Sequence, residues 1–162
     1  MSDTQPTRRI VSDRAVDTKL QFNDQFLQSA LDLWREKCAG REMPSRADFS
    51  HEDFLPFMGD IALIDVEQEP LRFRFRLIGT NITTTVMRDM TGQYLDMIYS
   101  GDNYDNAVRS FMSILDHGRP VRGTGNVSHA EKDYRRVEVL DAPLSSDGET
   151  IDMILKIVAW AN

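Results

Sequence analysis

Histidine, cysteine, arginine and paired carboxylates are the residues in this chain that could carry chemistry, so their spacing comes first. The three histidines, His51, His117 and His129, stand far apart, and no two fall at metal-ligand spacing. One cysteine, Cys38, rules out an internal disulfide and any multi-cysteine zinc or iron–sulfur site. There is no Gly-rich phosphate loop, no nucleophile elbow and no His-Glu-x-x-His, and the many acidic residues are scattered over turns and helix surfaces. Arg72, Arg74 and Arg76 form the most unusual charge pattern, a stripe along one face of a short alternating segment. Such a stripe can bind an anion or nucleotide. The better account is a solvated face paired with Glu67, Glu69 and acidic neighbours on the adjoining strand.

Charge and length narrow the field further. With 19 Lys and Arg against 26 Asp and Glu, the 162 residues carry a formal charge of −7. That balance repels phosphate backbones, so no nucleic-acid partner is expected. The longest apolar stretch, Met153 to Ala161, is interrupted by Lys156 and falls far short of the ~20 residues of a membrane span. Residues 1–20 lack the apolar core of a signal peptide, and their four basic and three acidic residues do not make a basic tail. They read as a flexible polar arm, and a cytoplasmic location is expected.

Residues 21–162 read as a single domain. A helix is predicted over Asp24–Cys38, where Leu27, Ala30, Leu31, Trp34 and Cys38 share one face. Asp24 opens it, and Gly40 and Pro44 close it. Ser50 and Asp53 form a capping box for a short helix limited by Pro56. From Gly59 the period changes to that of strands. Ile61–Val66 reads as a central strand. Leu71–Ile78 alternates, with Leu71, Phe73, Phe75 and Leu77 opposite the arginines. Short helices follow over Asn81–Met87 and Gln93–Tyr99. Asp102–His117 is a longer amphipathic helix, stopped by Gly118 and Pro120. Three strands end the chain, Pro120–His129, Tyr134–Leu144 and Thr150–Trp160, the last turn marked by Asp147-Gly148. This order implies an α+β fold with an antiparallel sheet.

The order resembles a PAS fold, and the local text is more specific. Trp34, Gly40 and Pro44-Ser45-Arg46-Ala47-Asp48 precede a short helix, followed by Phe73-Arg74-Phe75-Arg76-Leu77-Ile78-Gly79-Thr80 and then Asp89-Met90-Thr91-Gly92. Over residues 24–160 this is similar to a small alphaproteobacterial-type family of PAS-like domains with an N-terminal helical extension. The resemblance implies helices 21–58 followed by a PAS core over 59–162. It also implies a five-stranded sheet in spatial order 2-1-5-4-3 with helices over one face, and a stand-alone sensory or regulatory role exerted through protein association. A homodimer and a signalling protein partner are implied.

The resemblance also frames the cofactor question. A haem-binding histidine would lie on the long helix, where His117 stands. A His-Gly helix end, with a partly cationic ring against exposed carbonyls, is the better account of that residue. Residues 81–117 hold no cysteine for a flavin adduct, and Cys38 on the apolar stripe reads as a small hydrophobe. Neither haem, flavin nor metal is therefore expected. The pocket implied by the fold would be lined by Phe73, Phe75, Leu77, Met87, Tyr94, Phe111, Leu115, Met153 and Leu155, with Tyr94 or Tyr104 offering polar tips. Most of these also suit an ordinary core. Leu27, Leu31 and Trp34 are the interface candidates. Two rivals stand beside the sensor: a small α+β enzyme with isomerase-like chemistry in the sheet cavity, and a purely structural interaction domain. A buried carboxylate or histidine in an otherwise apolar cavity would favour the enzyme.

Overall fold

The computed structural model describes residues 11–86, 88–130 and 133–161. Six strands form one sheet: β1 (Val11–Asp17), β2 (Ile61–Glu67), β3 (Arg72–Ile78), β4 (Val121–Ala130), β5 (Asp133–Leu144) and β6 (Met153–Trp160). Five helices accompany them: α1 (Gln25–Cys38), α2 (His51–Phe54), α3 (Thr80–Val86), α4 (Leu95–Ile98) and α5 (Gly101–His117). The sheet order is β1-β4-β5-β6-β2-β3, and every neighbouring pair is antiparallel. The five expected strands stand in the expected order. A sixth, β1, adds to the β4 edge, so residues 11–17 are not part of a loose arm; residues 1–10 lie outside the described residues.

Cross-strand partners share a face of a sheet, so the register sorts every side chain to one side or the other. Val139 pairs with Val158, Asp141 with Lys156, Lys156 with Ala62, and Ile64 with Phe75. This set forms the inner face. It carries α5, whose Phe111 ring meets Phe73 at a centroid distance of 5.2 Å. The other parity, Leu140, Ala142, Leu144, Leu155 and Ile157, is equally buried and forms the outer face. That face is covered by α1. The expectation of helices on one face therefore needs correcting, since the N-terminal helix makes a second layer. Being covered on both sides explains why β6 reads as a nearly unbroken apolar run.

Local chemistry sets the ends of α1. The Asp24 carboxylate accepts from the Phe26 N–H at 2.8 Å, and Ala39 takes the left-handed cap conformation (φ 50°). Its 14 residues are too few for a stable isolated helix, so the stripe must be buried. Leu27 and Leu31 are sealed, and Trp34, 6% exposed, donates its indole N–H to the Pro143 carbonyl at 2.9 Å. The stripe is thus occupied within the protomer. Leu27, Leu31 and Trp34, the interface candidates, are buried against the sheet of their own protomer.

The β2–β3 hairpin departs from simple alternation. Its register shifts between Leu63 and Ile64, which oppose Leu77 and Phe75 and leave Arg76 as an extra residue. Leu63 and Ile64 point to opposite faces, so Leu77 is turned away from Phe75 and is 37% exposed. Immediately beyond, Gly79 passes against the backbone of Met58 and Gly59, where a Cβ would collide. The free side of β3 is closed by the segment before α4: the Phe75 N–H donates to the Gln93 carbonyl, and Gly92 N–H to the Phe75 carbonyl.

The β5–β6 connection runs longer than Asp147-Gly148 alone suggests, because β6 begins at Met153 rather than Thr150. Gly148 (φ 81°) supplies the left-handed step. The Asp147 carboxylate accepts from the backbone N–H groups of Thr150 and Glu149 and from the Ser145 hydroxyl, which hold its pKa down at about 2.

Two outcomes are expected. Trp34→Ala removes a buried ring and its hydrogen bond and costs ~3–5 kcal/mol, read from the urea midpoint, with the sedimentation-derived oligomeric state unchanged. For Asp147 the folded pKa is depressed, so its contribution is complete above the unfolded value of ~3.9 and lost as the pH falls through the folded one. The stability gap between wild type and Asp147→Asn, measured by urea unfolding, should be constant above about pH 5 and close on acidification.

Candidate functional site

The inner face of β5 and β6 places two charges where the sequence is otherwise apolar. Asp141 and Lys156 are cross-strand partners, and their carboxylate oxygen and Nζ lie 2.9 Å apart. The Asp141 side chain is fully buried, whereas 14% of the Lys156 side chain reaches solvent. The lysine nitrogen also sits 5.1 Å from the centroid of the Phe111 ring. In the same row the small Ala62 lies next to Lys156 and Val121 next to Asp141.

The surroundings are divided. Val137, Val139 and Val158, with Ile82 and Trp160, form an apolar cluster separate from the main core. The pair lies in the row beside that cluster, where the Lys156 side chain, like Ile82 and Trp160, is partly exposed. Asp60 braces the rim, accepting from the Trp160 indole N–H and the Asn81 amide at 2.9 Å each. Burying two charges is costly unless they compensate one another, and the site combines a cation, an anion and aromatic and aliphatic walls.

Sequence reasoning located some of this face and misplaced the rest. Phe73, Phe75 and Phe111 are buried together on it. Leu115 is half-buried on α5, against the main core. Leu155 and Met153 have the opposite parity and belong to the outer face, Leu155 buried and Met153 half-buried. Leu77 is turned out by the bulge, and Met87 lies outside the described residues. Tyr94 is at the β3 edge. Its ring lies 3.6 Å beneath the Arg72 guanidinium and its hydroxyl donates to the Glu67 carboxylate, which raises its pKa above the usual phenol range. Tyr104 is shifted the same way, chiefly by burial. Asp141 and Lys156 were missed. Lys156 carried a signal, a single charge inside the apolar strand β6, whereas Asp141 is one of five charged residues in β5 and had none.

The arginine stripe is paired internally. Arg72 grips Asp96 through two 2.8 Å hydrogen bonds, and Arg74 and Arg76 reach the nearly buried Asp65 at 3.0 and 2.9 Å. Glu67 contributes through Tyr94 and, at 4.0 Å, Arg74. The cations thus fasten α4 to β3 and β3 to β2. Among the described residues no group of three or more potential metal ligands converges. Cys38 is buried, and desolvation pushes its thiol up, away from the reactive thiolate.

A family model described as PAS domain matches residues 23–159. The chain belongs to the PAS domain family. A search of curated proteins finds no match. The match takes in α1 as well as five of the strands, so in this PAS domain the helix on the outer face lies within the region the family model recognises. No described helix is long and apolar enough to cross a membrane.

The unequal burial of the pair gives an ordered outcome. Lys156→Met strands a fully buried carboxylate and costs ~3–5 kcal/mol. Asp141→Leu leaves a lysine that can extend to water and costs roughly half as much. Urea midpoints should rank the variants in that order, and the double variant should recover most of the loss.

Proposed function

We propose that this PAS domain is a sensory or regulatory binding module rather than a catalyst. It takes a small molecule on the inner face of its sheet, under α5, and passes the result on by associating with another protein, working as a cytoplasmic homodimer. The observation that carries the reading is the Lys156–Asp141 pair. A solvent-reached lysine held over a buried carboxylate, under Phe111 and beside a separate apolar cluster, is the composition of a small-ligand site on a face that a well-filled core would leave entirely apolar.

The second reading is an enzyme with isomerase-like chemistry, and Asp141 is the observation that favours it, being a carboxylate buried among apolar groups. Against it stands the lysine at 2.9 Å, which neutralises the carboxylate that a general base would need to keep available. No nucleic-acid or metal chemistry enters either reading.

Native mass spectrometry of the purified full chain tests the proposal by reporting stoichiometry and retained ligand together. The expected result is a dimer carrying a small molecule, with the added mass absent from the Lys156→Met/Asp141→Leu double variant. An unliganded monomer at micromolar concentration would sink both parts of the reading. A bound compound recovered chemically altered, and unaltered from Asp141→Asn, would transfer the case to the enzyme.

A further inference from the structure

A second concavity, lined by neither Asp141 nor Lys156, lies where three segments converge. It occupies about 420 Å³, within the range of small-molecule sites. One wall is Trp34 from α1. Leu20, after β1, and Pro120, just before β4, supply the remaining apolar surface. The Trp34 indole N–H is committed to the Pro143 carbonyl, so what it presents to the groove is ring surface.

The charged groups give this groove its character. Arg35 from α1 and Arg119 from the α5–β4 junction line it, with His117 between them in sequence space at the end of α5. Elsewhere in this acidic chain five described arginines pair with carboxylates, and Arg46, Arg88, Arg109 and Arg135 donate to carbonyl or amide oxygens. Arg41 holds Asp48, Arg72 holds Asp96, Arg74 and Arg76 hold Asp65, and Arg122 holds Asp17 and Glu138. Arg35 and Arg119 make no hydrogen bond, ion pair or ring contact among the described residues, and both are exposed. Glu42, the one carboxylate lining the groove, pairs with neither. Two guanidinium groups without counter-ions, on separate segments around one aromatic wall, match an anionic head joined to an apolar body.

We propose that this groove binds a small organic acid, its carboxylate or phosphate between Arg35 and Arg119 and its apolar body against Trp34, Leu20 and Pro120. The half-open groove favours a small molecule over an extended acidic peptide: three segments bound it, and its volume holds a compact ligand. The backbone does not help to hold the anion. α1 and α5 both end here, and helix C-termini carry partial negative charge, so the arginines must supply the attraction. This site is independent of the inner-face reading, on which it does not rest.

The test is calorimetric titration of the full chain with 1-naphthoate, against neutral 1-naphthylmethanol and against a tetra-glutamate peptide. Naphthoate should bind, and the alcohol at least tenfold more weakly. Arg35→Gln and Arg119→Gln, both at exposed positions, should each weaken naphthoate about tenfold with an unchanged melting temperature. Equal binding of acid and alcohol, no binding of naphthoate at millimolar concentration, or indifference to both substitutions would overturn the proposal. Preference for the acidic peptide would assign the groove to a protein partner instead. Naphthoate binding lost only in the Lys156→Met/Asp141→Leu variant would place the ligand on the inner face, ending this proposal while leaving the sensor reading standing.

Discussion

The register between β5 and β6 is the constraint on which the rest of the structure depends. These strands have a helical layer against each face, so every residue along them must suit one layer or the other. The pairing of Asp141 with Lys156 sits inside that register. A slip of one residue would carry Lys156 toward α1 and place Leu155 beneath Phe111, exchanging a compensated charge for a stranded one. Apolar side chains alone specify this alignment weakly, because both parities of β6 are apolar. The ion pair makes one alignment unlike its neighbours, a role of buried polar groups that is best attested in fixing registry.

A comparable tie holds the N-terminal segment. Glu138 projects to the outer face and accepts from the backbone N–H groups of Asn23 and Asp24, at the start of α1. Arg122 bonds the same carboxylate and also reaches Asp17 at the end of β1. One carboxylate and one guanidinium thus connect β1, β4, β5 and the first turn of α1. Residues after β1 are positioned by contacts made more than a hundred residues later in the chain. This explains why β1 was not legible in the sequence. Val11–Asp17 has no apolar alternation, being an edge strand whose partner and anchor lie at Arg122 and Glu138.

What was legible follows from the same logic. The α1 stripe and the β3 alternation are local periodicities, and both could be read without knowing what they pack against. The β2–β3 bulge is not local in that sense. Nothing in Arg76 announces that it will be the extra residue, and so Leu77 was assigned to the wrong face. Leu155 and Met153 were misplaced for a related reason: in a strand that is apolar throughout, alternation gives no parity. The charge at Lys156 supplied the missing phase. It marks the inner face of β6, and Asp141 marks that of β5. Lys156 was passed over because one charge in an apolar run reads as an interruption, and Asp141 because it is one of five charged residues in its strand.

The two borders of the sheet are finished differently. On one side the segment before α4, with its Gln93 and Gly92 hydrogen bonds, occupies the backbone groups of Phe75, while β1 forms the opposite border. Growth of a fibre through backbone pairing needs two receptive ends on every unit, as a chain of hooks needs an eye on each link. A unit closed at one border can join at most one other in this way. Around Phe75 the residues next to Gln93 therefore act as a stop, taking up the backbone groups through which another unit would have to hook on.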